Sequence, residues 1–240
     1  MEHLFSTYKF KGLELKNRIM MPPMCQYSVE KKDGIATDWH YLHYVNRAIG
    51  GAGFIMIEMT DVEPDGRITD YDLGLWSDEQ IPALARIVEA CHRYGAKVGI
   101  QIAHAGRKAK YAEVPVAPSA IPFDENSKTP RALSIAEVKE MVEKFRKAVQ
   151  RAVKAGVDAI EIHGAHVDIQ IKHGRSGHFC KASLRYQPHA DHLGKPVGGV
   201  HETHGHGHVV HVLCFHEGNT VSVTAHSYRI LKSRDCYIPL

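Results

Sequence analysis

Short apolar runs alternate with amphipathic segments over the first two-thirds of the chain. Four of these runs have the composition of buried parallel strands: Arg18–Met21, Gly53–Met59, Lys97–Ala103 and Ala159–His163. Helical patterns separate the runs, which is the order expected of successive βαβ units. The hydrophobic pattern therefore predicts an α/β protein with a parallel sheet.

Three helices are predicted from periodicity and from start and stop signals. The first covers Trp39–Ile49 and ends before two glycines. The second follows Ser77, which has Gln80 at the capping-box position, and the third follows Ser134, which has Glu137 at that position. Apolar residues recur at helical spacing after both capping boxes.

The order of elements fits half of a (β/α)₈ barrel almost as well as it fits a doubly wound sheet. Polar residues at the predicted strand ends favour the barrel, whose sites are built at the carboxyl ends of several strands. These residues are Cys25, Glu58, Gln101, His104, His163 and His166. We therefore predict a (β/α)₈ barrel of which the first four β/α units are recognisable.

The pattern breaks after His166. The remaining 74 residues contain 11 of the 18 histidines and none of the seven methionines. Two short strands, Val209–Phe215 and Thr220–Ala225, are the only elements that the pattern predicts there, and no capped helix follows. We therefore divide the chain into an N-terminal half-barrel, residues 1–166, and a His-rich divergent tail, residues 167–240.

Composition narrows the class of protein. At 240 residues only a minimal barrel fits, since a complete one needs about 250 residues. A net charge of +3 with scattered Lys and Arg argues against binding of nucleic acid or membranes. Five widely spaced cysteines without a CxxC motif, and a first segment without a signal-like apolar run, predict a cytoplasmic protein.

The motif His163-Gly-Ala-His166 is open to three interpretations. Two imidazoles at a strand exit can donate hydrogen bonds to one oxygen and so polarise a carbonyl group. They can also bind a metal, although no third ligand follows at a recognised spacing. On spacing alone, a packed His163 and a solvated His166 are the commonest outcome.

Single polar residues at the other strand ends are equally open. A thiol at Cys25 suits a nucleophile, a redox tuner or a small buried hydrophobe. Gln101 and His104 have the same ambiguity. The segment Gly106-Arg107-Lys108 suits an anion site or a solvated turn.

Several strings together resemble the old yellow enzyme family, and most closely its bacterial class that includes thermophilic ene-reductases. The resemblance is continuous over residues 1–166. It is carried by LKNRIMMPPMCQYS (15–28), GRIT (66–69), DLGLWSD (72–78), GIQIAHAGRK (99–108) and APSA (117–120).

The resemblance implies an FMN-dependent (β/α)₈ barrel that reduces activated C=C bonds of α,β-unsaturated carbonyl compounds with NAD(P)H. Pro22, Pro23, Met24 and Cys25 are expected to border the flavin, with the Cys25 sulfur tuning its reduction potential. Gln101 is expected to bind the pyrimidine side of the ring. Met59 is expected beside the ring, at a position where this class usually has a small residue.

The resemblance also implies a substrate site. His163 and His166 are expected to hold the substrate carbonyl oxygen, in agreement with the oxyanion interpretation, and Tyr27 is expected to line the pocket. The expected partner is a small molecule with an activated alkene. A homo-oligomer stays open, and no metal site is assigned.

The chain departs from the family after His166. The usual tyrosine proton donor is replaced by Asp168, and neither the fifth-strand arginine nor the phosphate site has a counterpart. We hypothesise an interrupted family member whose C-terminal half is replaced by shifted-frame or foreign sequence, with impaired activity. The alternative is a non-catalytic half-barrel that binds metal through its His-rich tail.

Overall fold

The computed structural model describes residues 3–10 and 12–164, and the backbone of 208–217 and 220–229. Its strands are β1 Tyr8–Phe10, β2 Leu13–Leu15, β3 Met20–Met21, β4 Phe54–Asp61, β5 Leu73–Gly74, β6 Lys97–Ala103, β7 Val116–Ala117, β8 Arg131–Ala132, β9 Ala159–His163, β10 His208–Glu217 and β11 Thr220–Arg229. Its α-helices are α1 Asp38–Ile49, α2 Ile81–Arg93 and α3 Ile135–Lys154.

The predicted elements occur in the predicted order. β6 and β9 have the predicted bounds, whereas β3 is shorter than its apolar run and β4 extends two residues further, to Asp61. Both capping boxes form, although the Ser77 box opens a short 3₁₀ turn that precedes α2. Gly156 has φ +86° just after α3, a left-handed conformation that glycine adopts without strain.

Four strands form a parallel sheet in the order β9-β6-β4-β3, and the helices decide between the two predicted folds. Apolar residues of α1, α2 and α3 pack in one cluster with Ile55, Ile100 and Ile160. All three helices therefore cover the same face of the sheet. A doubly wound sheet would have helices on both faces, so the described part is the wall of a barrel.

The opposite, inner face is closed at the amino-terminal ends of the strands. Phe54, Met56 and Ala159 pack there with Leu13 of the β1–β2 hairpin. A Cβ atom on Gly99 would lie 2.7 Å from Phe54 and 2.8 Å from Met56, so the layer leaves no room for a side chain at this position. The hairpin and these side chains plug the bottom of the half-barrel.

The edge strand β9 is continued by an antiparallel hairpin. β10 pairs with β9 from His211–His163 to Phe215–Ala159, and β11 pairs with β10 along its whole length. Both strands are longer than the two that the sequence predicts. In a barrel the fifth strand would be parallel to β9. The backbone of β10 is antiparallel to β9, so the hairpin extends the sheet without continuing the barrel pattern.

Candidate active site

The inner face carries three of the polar strand-end residues predicted from the sequence, namely Cys25, Gln101 and His163. Met59 packs with Ala103 and Cys25, which places the ends of β4, β6 and β3 against one another. Gln101 lies two residues before Ala103 and therefore shares its face. Its side chain reaches Glu161 of β9, and His163 lies two residues beyond on that same face. Cys25, Met59, Gln101 and His163 thus lie along one surface.

Met59 owes its place on this surface to an irregularity in β4. The register between β4 and β6 shifts between Ile57 and Met59, so Glu58 is an extra residue in the strand. A bulge of this kind reverses the alternation of faces. Met56 and Met59 therefore both face inward, and Glu58 is directed toward α1.

Gln101 forms a buried polar pair that the sequence analysis missed. Its Nε2 donates to Oε1 of Glu161 at 2.9 Å, and the two residues are only 6% and 4% exposed. The signal for Glu161 was present in the alternation of β9, because Ala159, Glu161 and His163 share one face while two isoleucines occupy the other. An amide beside a carboxyl group offers hydrogen-bond donors and acceptors to a ligand.

Cys25 and Tyr27 hydrogen-bond through their side chains, and both remain protonated at neutral pH. Burial, and then the charges of Asp72, Glu58 and Asp61, raise the pKa of the Cys25 thiol to about 12. Burial, and then the neighbouring thiol, raise the pKa of Tyr27 to about 12. A thiolate nucleophile is therefore disfavoured, whereas a neutral thiol and a phenol O–H donor are available.

Two buried carboxyl groups, those of Glu58 and Asp61, lie near Cys25. Burial raises the pKa of Glu58 to about 7. Burial also raises the pKa of Asp61 well above its ordinary value, and neither of its oxygens has a hydrogen-bond partner within residues 3–164 as described. Glu58 was among the residues singled out from the sequence, but Asp61 was not, because its burial depends on packing around the end of β4.

The side chain of His104 has a structural role and is not part of the inner surface. Its Nδ1 accepts from the backbone N–H of Gly106 at 2.8 Å, so its proton lies on Nε2, which donates to Glu63 at 2.8 Å. Lys144 also donates to Glu63. The histidine therefore fastens the Gly106–Lys108 turn.

The remaining predicted residues are distributed at the edge of the surface. Pro22, Met24 and Tyr27 are exposed, and Pro23 is half-buried. His166 and Asp168 lie outside the described residues. The structure therefore shows one of the two histidines of the predicted carbonyl site, and the role of each residue stays a prediction.

Comparison with known proteins identifies the family. The model of the NADH:flavin oxidoreductase / NADH oxidase family, whose flavin is FMN, matches residues 3–167. The chain belongs to this family. An NADPH dehydrogenase of Listeria monocytogenes serotype 4a is 59% identical over 166 residues, which are 69% of this chain and 49% of the relative.

Solved structures agree with the old yellow enzyme resemblance. Morphinone reductase is 31% identical with a TM-score of 0.62, over 69% of this chain and 49% of that one. The old yellow enzyme from Pichia sp. AKU4542 is 27% identical with a TM-score of 0.62, over 66% of this chain and 45% of that one. These enzymes are (β/α)₈ barrels, so the predicted fold class is confirmed for the part that the chain shares with them.

The chain spans about half the length of the curated relatives it matches. FMN as the flavin and NAD(P)H as the reductant are confirmed as properties of the family. The domain boundary at 166/167 stays a prediction. None of the described helices is long and apolar enough to cross a membrane.

Proposed function

We propose that this chain contributes the flavin-facing half of an FMN-dependent oxidoreductase that reduces activated C=C bonds of α,β-unsaturated carbonyl compounds with NAD(P)H. One observation carries the proposal: Cys25, in the segment after β3, shares the inner face with Met59 of β4, Gln101 of β6 and His163 of β9. Since the chain spans half of its relatives, we expect its own activity to be impaired. We place it in the cytoplasm, and its oligomeric state stays open.

The residues present fit a planar, partly polar ring. Met59 and Cys25 provide an apolar surface, and the pair Gln101–Glu161 provides donors and acceptors at a buried end. Pro22 to Cys25 would border the ring, and Gln101 would bind its pyrimidine side. When bound, FMN would supply the hydride-transfer chemistry.

The protein side chains would bind and orient the substrate. His163, together with His166, would donate hydrogen bonds to the carbonyl oxygen and stabilise negative charge that develops there. Tyr27 would line the pocket as a neutral phenol, since its pKa is raised to about 12. Cys25 would stay a thiol rather than a thiolate beside the ring, which favours the role of a redox tuner over that of a nucleophile.

Flavin binding provides the first test. We expect the purified full chain to take up FMN, observed as a change in the visible flavin spectrum on titration. Gln101→Leu should weaken FMN binding about tenfold, the loss expected when a hydrogen-bonding partner of a buried ligand is removed. The matched control is Gln150→Leu on α3, which should leave binding unchanged. A full chain that binds no FMN would refute the proposal.

The carbonyl site is tested with a phenol that mimics the substrate enolate. In the FMN-loaded chain, His163→Ala should reduce phenol binding about tenfold or more. His92→Ala, at the remote contact with Asp158, is the control. Equal phenol binding in both variants would show that His163 is not part of the carbonyl site, even if FMN binds.

A second candidate function is metal binding without catalysis, and the strand register favours it. His163, His211 and His226 occupy directly paired positions on β9, β10 and β11. Paired positions share a face of a sheet with Cβ atoms ~5 Å apart, and histidine is a common ligand of Zn²⁺, Ni²⁺ and Cu²⁺. Among the side chains that the structure describes, no group of three or more potential ligands forms a metal site.

The two candidates give opposite results with the same preparation. Metal binding predicts a colourless chain that takes up Zn²⁺ or Ni²⁺ in calorimetry, with affinity reduced at least tenfold in His211→Ala. His216→Ala is the matched control, because residues 211 and 216 lie on opposite faces of β10. Equal effects of both substitutions would refute a site on this register.

A further inference from the structure

Glu58 is held by an arrangement that the proposed function does not use. The bulge in β4 directs its carboxyl group toward α1, where it is fully buried. Tyr44, also fully buried, donates its O–H to Oε2 of Glu58 at 2.6 Å and accepts the backbone N–H of Glu58 at 3.0 Å. Two reciprocal bonds therefore fix the carboxyl group between strand and helix.

The other carboxylate oxygen reaches the chain that follows β3. Oε1 of Glu58 accepts the backbone N–H of Gln26 at 2.8 Å. Gln26 lies between Cys25 and Tyr27, whose side chains hydrogen-bond to each other. In addition, Trp39 on α1 donates from Nε1 to the Gln26 side chain at 3.3 Å. The backbone between the thiol and the phenol is thus attached to the rigid wall of the barrel.

This attachment is needed because the segment has a strained backbone. Tyr27 has φ +52°, in the left-handed region. For a bulky side chain that region is energetically unfavourable, and it persists only where the surroundings enforce it. The bond to Gln26 restrains the residue directly before the strained one. Without this hydrogen bond, the segment would relax to an unstrained conformation, which would move Cys25 and Tyr27.

We propose that Glu58 is a positioning residue, whose carboxylate holds the Cys25–Tyr27 segment in the conformation that presents the thiol and the phenol at the inner face. This inference rests on the proposed function in one respect, which is that the inner face binds the flavin. The contact itself involves only protein atoms and is therefore testable in the absence of flavin.

The strength of this attachment is expected to depend on pH. The titratable groups around the Glu58 carboxyl are Tyr44 and His40 of α1, Cys25 and Tyr27 of the held segment, and Asp72. Burial lowers the pKa of His40 to about 4 and raises that of Glu58 to about 7, so His40 is neutral where Glu58 titrates. A hydrogen bond to a charged acceptor is stronger than one to a neutral acceptor, so protonation of Glu58 weakens the bond from Gln26.

Amide hydrogen exchange at Gln26, measured on the full chain, tests the proposal. After correction for intrinsic exchange, the protection factor of Gln26 should fall about tenfold between pH 8 and pH 6. In Glu58→Gln it should be low and independent of pH over this range. Tyr44→Phe, which removes both bonds of the Tyr44 hydroxyl to Glu58 but leaves the bond from Gln26, should lower the protection factor about threefold and keep the pH dependence.

Two controls separate positioning from general stability. Glu63→Gln alters another, partly buried carboxyl group, which hydrogen-bonds to His104 and Lys144, and it should leave Gln26 protection unchanged. The amide of Val98, bound to Asp158, should keep its protection in Glu58→Gln. Equal loss of protection at Gln26 and Val98 would show a general structural role and overturn the proposal, as would Gln26 protection that is unchanged in Glu58→Gln.

A flavin measurement distinguishes this inference from the proposed function. If FMN binds, Glu58→Gln should shift the reduction potential of the bound flavin, since Cys25 moves, and Glu63→Gln should not. If the chain binds no FMN, the proposed function fails, while the hydrogen-exchange result at Gln26 still decides whether Glu58 positions the segment.

Discussion

The two ends of the four parallel strands differ in what they bury. At the amino-terminal ends, Phe54, Met56 and Ala159 form an apolar layer that the β1–β2 hairpin covers. At the carboxyl ends several polar groups are buried, among them Glu58, Thr60, Asp61, Gln101, His104 and Glu161. The sheet therefore has a closed, hydrophobic lower end at the amino-terminal ends of its strands. At their carboxyl ends it has an open, polar upper end.

Because of this difference, we expect the hydrophobic end to contribute mainly to stability and the polar end mainly to binding and protonation. Apolar burial stabilises in proportion to area and is insensitive to pH, whereas each buried polar group needs a partner or a changed protonation state. Gln101 is paired with Glu161, while Asp61 has a raised pKa. Substitutions at the lower end should thus change the free energy of unfolding, and those at the upper end should mainly change binding and pH dependence.

The largest expected effect is at the lower end. Met56→Ala removes a fully buried side chain from the apolar layer and should lower the free energy of unfolding by about 3 kcal/mol. Urea denaturation measures this change. Met24→Ala, at a position 45% exposed beside the upper end, should change it by less than about 0.5 kcal/mol. Similar losses in both variants would contradict the separation of the two ends.

A second prediction concerns the polar contact that fastens the lower end. Asp158, just before β9, accepts from the backbone N–H of Val98 and from Lys97 Nζ, both at 2.8 Å, and its carboxylate lies 2.6 Å from His92 Nε2. Asp158→Ala should cost about 2 kcal/mol in urea denaturation, because it leaves a partly buried N–H without its charged acceptor.

The control for Asp158 is an exposed carboxylate. Asp38 forms an ion pair with Arg86, with side chains 81% and 60% exposed. Asp38→Ala should cost well under 1 kcal/mol, since exposed pairs contribute little. If the two substitutions cost the same, the lower end is not fastened by Asp158.

The sequence was sufficient to predict the wall of the barrel but not the local geometry of its upper end. Capping boxes at Ser77 and Ser134 located two helices, and the apolar run Lys97–Ala103 gave a strand with the correct bounds. These signals are local, so they can be recognised without knowing the fold. The side of the sheet that the helices cover depends on packing and needed the structure.

The bulge at Glu58 illustrates what could not be predicted. All eight residues of β4 are buried, so their pattern contains no alternation that would reveal an inserted residue. The bulge is defined only by the shifted register against β6. The hairpin is a similar case, since the pairing of β10 with β9 depends on a free strand edge rather than on the composition of the tail.

The smallest expected effect concerns pH at the upper end, where Glu63 and Glu58 should act with opposite sign. Burial favours the neutral form of Glu63, but hydrogen bonds from His104 and Lys144 outweigh it and lower its pKa to about 2. Its stabilising contribution is therefore present above pH 4.5 and lost as the pH falls toward 2. The pKa of Glu58 is raised to about 7, so its contribution is present below pH 4.5 and lost as the pH rises toward 7.

Glu63→Gln should consequently lower the free energy of unfolding by about 1 kcal/mol at pH 7 and by progressively less on acidification below pH 4.5. Urea midpoints between pH 3 and pH 8 measure this. Glu143→Gln removes a carboxylate that is paired with Arg146 on the surface of α3. It should give the same dependence of the urea midpoint on pH as the unmodified chain. A Glu63→Gln profile parallel to that of the unmodified chain would mean that the His104–Glu63–Lys144 contacts do not stabilise the charged carboxylate.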